Sequence, residues 1–123
     1  MASYSEPRKK AFKADGAIVQ YTFVKGGSDK EHVAACEANE KAIGIAASAA
    51  SAAEDVLEVF LFGGGGLLKL NETVVFGDSL TSTATGLGEV ADADLEWCAA
   101  IAMQAGVQND VIYVELVGHR HGQ

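Results

Sequence analysis

The amino-acid sequence predicts a mainly β protein: a small single-domain barrel or sandwich built from two related hairpins, with at most one or two short helices. Three observations lead to this prediction. One strand-like pattern occurs twice, in residues 55–63 and again in residues 110–118. Aromatic residues make up only 7% of the chain, so the core must be thin and mostly aliphatic. Fourteen glycines and a single proline fit short strands joined by tight turns.

The repeated pattern reads Asp-Val, an aliphatic residue, any residue, Val, any residue, Leu, any residue and Gly. Side chains alternate along a strand, so Leu57, Val59 and Leu61 share one face. The matching residues of the second copy share the matching face. Each copy follows a short apolar segment, residues 42–46 or 99–103. We therefore predict two related hairpins that close over one core.

The charge of the chain is unevenly distributed. Of the net charge of −8, residues 1–25 carry five basic and two acidic residues, whereas residues 26–118 carry three basic and fifteen acidic ones. A basic arm on an acidic body favours docking to a partner, and the plain alternative is a solubilising body with an irregular terminus. The acidic body argues against binding nucleic acid. No apolar run approaches the length of a membrane span, and the absence of a signal-like stretch predicts synthesis in the cytoplasm.

We divide the chain into a flexible basic arm (residues 1–15), a β-rich domain (16–118) and a short tail (119–123). The arm shows no periodicity, so we expect that its removal leaves the fold intact. Residues 17–25 are β-branched and aromatic and predict the first strand of the domain. Further strands are predicted over residues 32–36, 43–47, 55–63, 67–76 (two short segments), 99–103 and 110–118.

The connections between these strands are predicted from small and polar residues. Residues 46–53 are rich in Ala and Ser and read as a loop or a single helical turn. Residues 77–88 predict an exposed Thr/Ser/Gly ribbon with a turn at 84–86. Residues 92–97 predict a short helix with Asp92 as its N-cap.

The run Gly63–Gly66 invites comparison with a phosphate-binding loop. Such a loop needs a Lys and a Ser or Thr after the glycines, followed by a helix. Here the glycines precede Leu67-Leu68-Lys69-Leu70, which reads as a strand. We interpret the run as a flexible hairpin loop.

Two other groups resemble metal sites only superficially. His119 and His121 are two imidazoles near the end of the chain, and the third histidine lies far away in sequence. Asp92, Asp94 and Glu96 alternate, but they lack the Gly and Glu that complete an EF-hand loop. We predict no metal and no cofactor.

The sequence also lacks the arrangements that mark an enzyme. It contains no Gly-x-Ser-x-Gly, and Cys36 and Cys98 lie 62 positions apart with no metal-ligand spacing. Both cysteines are predicted to be buried free thiols. We predict that the protein is not an enzyme.

The candidate functional residues are those that suit a protein interface. Phe60 and Phe62 lie on the face of their strand opposite to Leu57, so that strand is apolar on both faces and needs a cover on each side. A neighbouring subunit is a plausible cover. Trp97, the only tryptophan, is either a core residue or an interface anchor. The basic arm supplies the remaining candidates, which are Arg8, Lys9, Lys10, Phe12 and Lys13.

The order of segments resembles a known family. The apolar strand at 42–46, the pattern at 55–63, the Gly-Asp-Ser-Leu-Thr-Ser-Thr-Ala-Thr-Gly ribbon at 77–86 and the segments 98–106 and 111–116 together resemble the capsid cement, or head decoration, proteins of tailed bacteriophages. The resemblance covers roughly residues 17–118.

This resemblance implies a β-rich homotrimer without an active site that binds the outer surface of an expanded capsid. Its partners would be the major capsid protein and other copies of itself, and it would stabilise the virion against the pressure of packaged DNA. Two alternatives stay open, namely another oligomeric virion component such as a tail or fibre module, and a small-ligand-binding β-barrel. The latter would need large apolar residues around a pocket, which this composition disfavours.

Overall fold

A computed structural model describes residues 8–38, 40–91 and 97–120. Within these residues the chain forms strands, turns and bends and contains no helix, which confirms the predicted fold class. The strands, in chain order, are β1 (Lys9–Ala14), β2 (Phe23–Gly26), β3 (His32–Ala35), β4 (Gly44–Ala46), β5 (Val56–Leu61), β6 (Gly65–Lys69), β7 (Ser79–Ser82), β8 (Gly88–Val90), β9 (Trp97–Ala102) and β10 (Val111–Arg120).

The strands form two groups of five. The first group closes into a barrel in the order β1-β3-β2-β4-β5, with β1 antiparallel to β5 and parallel to β3. The second group is a sheet in the order β6-β10-β9-β7-β8. Its two edges approach each other where Leu70 forms a parallel bridge with Gly88. We call residues 8–62 repeat 1 and residues 64–117 repeat 2.

The two repeats have the same strand pairing. Ala46 lies opposite Val59 in the β4–β5 hairpin, and Ala102 lies opposite Val114 in the β9–β10 hairpin, 55 or 56 positions later. The same offset relates β2–β4 to β7–β9, β2–β3 to β7–β8 and β1–β5 to β6–β10. The predicted related hairpins are therefore parts of a larger duplicated unit of five strands.

The backbone turns also recur at this offset. Tyr21 and Gly77 both have positive φ, at 64° and 94°, just before β2 and β7. Glu54 and Asn109 have φ of 72° and 73° just before β5 and β10. Left-handed backbone is uncommon for residues other than glycine, so its recurrence at matched positions marks turns that the strand arrangement requires.

Each repeat has an aliphatic interior built from equivalent positions. The interior of repeat 1 consists of Ala14, Ile18, Val24, Val33, Ala46, Ala50, Leu57 and Val59, which are at most 4% exposed. The equivalent positions of repeat 2 are Leu70, Val74, Leu80, Gly88, Ala102, Gly106, Ile112 and Val114.

The two interiors are filled by different combinations of side chains. Repeat 2 has larger residues at two positions, Leu70 and Leu80, and glycines at two others, Gly88 and Gly106. Their counterparts in repeat 1 are Ala14, Val24, Val33 and Ala50. A Cβ on Gly106 would lie 3.0 Å from Leu70 Cδ1 and 2.8 Å from Ile112 Cγ2, so the leucine occupies the space that the glycine leaves.

A second core joins the repeats. Phe60 projects from β5 toward repeat 2 and is 7% exposed, in one buried cluster with Leu68, Ala99 and Leu116. A Cβ on Gly66 would lie 3.1 Å from Phe60 Cβ, so the ring packs closely over this glycine and would have to shift by a few tenths of an ångström to admit another residue. Backbone hydrogen bonds also link the repeats: Phe23 N–H donates to Gly86 C=O at 2.8 Å, and Lys69 N–H donates to Tyr21 C=O at 2.8 Å.

The prediction that residues 1–15 form a flexible arm is corrected for residues 9–14, which form strand β1. Residues 9–14 pair with β5 over five register positions, Phe12 packs against the interior of repeat 1 and Ala14 is fully buried. This segment is therefore part of the domain, because Phe12 and Ala14, which share one face of β1, pack in the barrel. At the other end β10 continues to Arg120, so the predicted tail boundary at residue 119 is also too early.

Two predicted strand regions form less strand than expected. Within residues 17–25, Ile18 only bridges Ala50, and the positive φ of Tyr21 turns the chain before β2. Of the two short segments predicted within residues 67–76, only the first belongs to a strand, since β6 ends at Lys69 and the rest is connection. The apolar pattern does not reveal the turn at Tyr21, because Ile18 and Phe23 on either side of it are buried like strand residues.

Two connections are more buried than the sequence predicts. The ribbon at 77–88 is not an exposed strand pair, since Leu80, Thr81 and Ser82 of β7 are at most 1% exposed. The Gly63–Gly66 run is not a flexible loop, because it turns at Gly63 (φ 86°) and enters β6 between the two repeats. The helix predicted from Asp92 falls largely on residues 92–96, outside the described part of the chain.

Exchange of the interior residues can be tested in a double-mutant cycle. We expect Gly106→Ala to lower the free energy of unfolding by about 1–3 kcal/mol, because the added methyl group overlaps Leu70 and Ile112. Leu70→Ala alone should cost about 2–5 kcal/mol through the cavity that it leaves. The double variant restores the Ala–Ala pair of repeat 1 and should cost less than the sum of the two, by about 0.5–3 kcal/mol. Urea unfolding measures each value.

Gly16→Ala is the matched control, because a Cβ at Gly16 meets no atom within 4 Å. We expect its unfolding midpoint to equal that of the wild type. Strict additivity of the Gly106 and Leu70 substitutions would contradict the exchange of volume between them.

A truncation tests the assignment of β1 to the domain. Removal of residues 2–13 deletes most of β1 and the backbone hydrogen bonds from Leu61 N–H to Arg8 C=O and from Lys13 N–H to Glu31 C=O. We expect a loss of roughly 1 kcal/mol for each backbone hydrogen bond removed, in addition to loss of the packing of Phe12. Removal of residues 2–7 keeps β1 and serves as the control. Equal thermal midpoints for the two truncated proteins would contradict this role.

Candidate interaction surface

Strand β1 places the predicted basic residues on the surface of repeat 1. Lys9, Lys10 and Lys13 are exposed, and Arg8 directly precedes the strand. The Arg8 guanidinium donates a hydrogen bond to the carbonyl of Phe62 at 3.3 Å, and Lys9 Nζ lies 3.6 Å from Glu58 Oε1. The cations are thus held at fixed places on a strand and form a basic stripe on an otherwise acidic protein.

Within this stripe, the charge of Lys10 lies next to the aromatic ring of Phe12. Lys10 Nζ lies 5.1 Å from the centroid of the Phe12 ring, a cation–π contact. Phe12 is half-buried and packs against the interior of repeat 1. Lys10 and Phe12 lie on the same face of β1, where Phe12 anchors the strand against the interior and Lys10 is exposed to solvent.

A groove of about 470 Å³ lies where β1 diverges from β3. The two strands pair only at Lys13–His32 and Ala14–Val33, and the earlier part of β1 leaves space between them. Phe12 and Val56 give the groove an apolar component. Its charged lining consists of Lys10, Lys13, Lys30 and Glu31. We call this feature the β1 groove, and it suits an apolar ligand surface with an acidic rim.

Next to this groove, His32 joins two turns through its imidazole ring. His32 Nδ1 lies 2.7 Å from Asp29 Oδ1, and His32 Nε2 lies 2.8 Å from Glu54 Oε2. Glu54 is the left-handed residue before β5, and its N–H donates to Ala14 C=O at the end of β1. The hydrogen bond to Asp29, followed by that to Glu54, raises the pKa of His32 above its ordinary value of 6.5. The protonated ring therefore ties three segments of the barrel together.

The predicted apolar candidates divide into two groups. Phe60 is buried between the repeats and Phe62 is half-buried against the same core, so repeat 2 covers the outer face of β5. The expectation that a neighbouring subunit covers Phe60 is therefore corrected, because the duplicated half of the same chain supplies the cover. Trp97 is the first residue of β9, and its side chain lies outside the described part of the structure.

Sequence reasoning missed an exposed apolar patch on repeat 2. Val75, Phe76 and Val107 are 58%, 67% and 55% exposed. They lie on two connections held together by a pair of hydrogen bonds between Val74 and Gly106. We call these three residues the repeat 2 tip. The sequence feature that could have indicated this patch is Phe76, a large aromatic residue immediately before a glycine in a turn.

Neither cysteine is suited to nucleophilic chemistry. Cys36 and Cys98 are free and buried, which confirms their predicted state. Burial raises the pKa of Cys36 to about 12, so its thiol stays protonated at neutral pH.

Among the residues that the structure describes, no group of three His, Cys, Asp or Glu side chains is arranged to hold a metal ion. The predicted acidic turn at Asp92, Asp94 and Glu96 and the terminal His121 lie outside these residues. The described part of the chain also has no helix long and apolar enough to span a membrane.

Comparison with known proteins reveals a similar fold. No protein-family model matches the chain, and no curated protein matches it. Among solved structures, the chain is similar to the N base of the head fiber protein gp8.5 of bacteriophage phi29, with a TM-score of 0.72 and 13% sequence identity. The match covers 94% of this chain and 98% of that chain. At this identity the likeness is one of fold, and it extends over both repeats.

The His32 contacts predict a pH-dependent stability. A folded-state pKa above 6.5 means that the protonated ring contributes stability below pH 6.5, and that this contribution is lost as pH rises through the higher folded-state value. The pKa of Asp29 is lowered, first by the His32 hydrogen bond, so its contribution is present above about pH 3.8 and lost as pH falls through the lower folded-state value. The contacts of His32 with Asp29 should therefore stabilise most between these limits.

We expect the urea midpoint of the wild type to fall from about pH 6 to about pH 8.5. In His32→Asn the decline should be smaller, because the substituted side chain does not titrate. Parallel curves for the two proteins across this range would contradict the assigned role of His32.

Proposed function

We propose that this protein is a structural component of a tailed-phage virion. In this proposal it binds the outer surface of the expanded capsid as a homotrimer and bridges neighbouring major capsid subunits. It thereby stabilises the shell against the pressure of packaged DNA. The role is non-enzymatic and requires no cofactor. The site of action is the virion, after synthesis in the host cytoplasm.

The observation that carries the proposal is the agreement of two independent comparisons. The segment order of the sequence resembles phage cement proteins, and the fold is similar, over nearly the whole of both chains, to the base of a phage head fiber. Both comparisons concern proteins attached to a phage head.

The physical properties of the chain support such a role. The interior of repeat 1 is filled by aliphatic side chains, which leaves no room there for a small ligand. The surface instead offers two features that suit protein contacts, the β1 groove and the repeat 2 tip. A trimer would present each contact three times, so weak individual contacts would add to a strong attachment through avidity.

A second candidate function is the base of a head fiber. It is favoured by the phi29 head fiber match, because that structure is itself called a base. Such a base would attach to the capsid without any need to stabilise it. The two functions therefore differ in their effect on the shell, and both exclude an enzyme.

Incubation with undecorated expanded capsids tests the proposal. We expect the protein to co-sediment with these capsids, and we expect bound protein to raise the temperature at which DNA-filled heads release their DNA. Binding should weaken as salt increases, because the basic stripe of β1 is exposed and its interactions are screened. A fiber base would co-sediment without the shift in release temperature.

Capsids already saturated with their native decoration are the matched control, since their binding positions are occupied. Failure to co-sediment with undecorated capsids at low salt, by a protein shown to be folded, would contradict both candidate functions.

A further inference from the structure

The two repeats share a backbone but differ strongly in charge. Repeat 1 contains seven Lys and Arg residues and eight Asp and Glu residues. Repeat 2 contains one Lys and eight Asp and Glu residues. One half of the molecule is therefore nearly balanced, with an exposed basic stripe on β1, whereas the other half is strongly acidic. Such polarity favours contact between the unlike halves of two copies.

The repeats also differ at the end of the barrel where the tip lies. The residue equivalent to Phe76 in repeat 1 is Gln20, and the residue equivalent to Val107 is Ala52. Val107 and Ala52 are equivalent because each of them donates its N–H to the carboxylate of an Asp three residues later. Because repeat 1 folds with Gln and Ala at these places, the scaffold itself does not require large apolar residues there.

Two carboxylates flank the repeat 2 tip. Asp78 Oδ2 accepts a hydrogen bond from Val75 N–H at 2.9 Å, and Asp110 Oδ2 accepts one from Val107 N–H at 3.0 Å. These bonds fix each negative charge beside an exposed valine. The tip is thus an apolar projection, led by Phe76, with an acidic rim.

The β1 groove has the complementary character. Phe12 and Val56 supply an apolar surface, and Val56 is 66% exposed. Lys10, Lys13 and Lys30 supply three positive charges against the one negative charge of Glu31. Lysines along a strand edge discourage indiscriminate strand pairing. They therefore favour recognition through side chains over addition of a foreign strand.

We propose that the repeat 2 tip of one copy docks in the β1 groove of a second copy. Phe76 would enter the groove beside Phe12 and Val56, while Asp78 and Asp110 would meet the groove lysines. The contact joins unlike surfaces, so it repeats from one copy to the next and closes into a ring when the rotation between copies allows it. This inference rests on the self-association included in the proposed function, and it assigns the surfaces that carry it.

Photo-crosslinking from position 76 tests this docking. The full chain is made with benzoylphenylalanine in place of Phe76, and light and heavy isotopic forms are mixed before irradiation, both in solution and on expanded capsids. We expect mixed light–heavy crosslinks from residue 76 to peptides that contain residues 10–13, 30–31 or 56. The same probe in place of Gln20, the matched position in repeat 1, should give no such crosslink.

Two kinds of variant give a second measurement. Phe76→Gln introduces the residue that repeat 1 carries at this place, and it should weaken self-association by roughly tenfold or more, as expected when a central aromatic anchor is removed. Lys13→Glu and Lys30→Glu should also weaken it. The urea midpoint of Phe76→Gln should match the wild type, because the ring is exposed.

The outcomes separate this inference from the proposed function. Crosslinks that map elsewhere, or unchanged self-association of Phe76→Gln, would overturn the docking model while capsid binding stands. Crosslinks from residue 76 to the capsid protein alone would overturn it as well, and would make the tip a shell contact. Mixed crosslinks to the groove in a protein that does not bind capsids would support the docking and contradict the function.

Discussion

The ring of Phe60 lies against the backbone of Gly66, where repeat 2 covers the outer face of strand β5. A five-stranded barrel with a mostly aliphatic interior buries little apolar surface, and a unit of about 55 residues is marginal by itself. The contact between the repeats adds a second buried core around Phe60, Leu68 and Leu116. Hydrophobic burial scales with area, so this second core contributes stability that neither repeat has alone. The rest of the structure depends on it.

Duplication explains why the chain can use so few aromatic residues. Both repeats share their hydrogen-bond register and the left-handed turns before β5 and β10. Inside this common frame the side chains vary in a compensated way, since Leu70 takes the space released by Gly106. Close packing couples such positions, so neither is free to change independently of the other. The strand pairing is therefore specified by the repeated apolar pattern, and the individual interior residues are specified by the volume left by their neighbours.

The surfaces of the repeats differ in charge and polarity, whereas both interiors are apolar. Repeat 1 carries the cations of β1 and the His32 contacts, and repeat 2 carries the exposed tip of Val75, Phe76 and Val107 with its acidic rim. Two unlike surfaces, one basic and one apolar with an acidic rim, are suited to contacts between proteins.

The sequence by itself determined the fold class, because the alternation at residues 55–63 and 110–118 dictates two strands with matched buried faces. It also determined that the cysteines are buried, since free cysteine behaves as a small hydrophobic residue. Only the tertiary structure decided that Lys9–Ala14 is a barrel strand, because its charged residues alternate with few apolar ones and its partners lie far along the chain. The tertiary structure also decided what covers Phe60. The apolar outer face of β5 indicates that it must be covered, and only the packing of the two repeats shows that the cover belongs to the same chain.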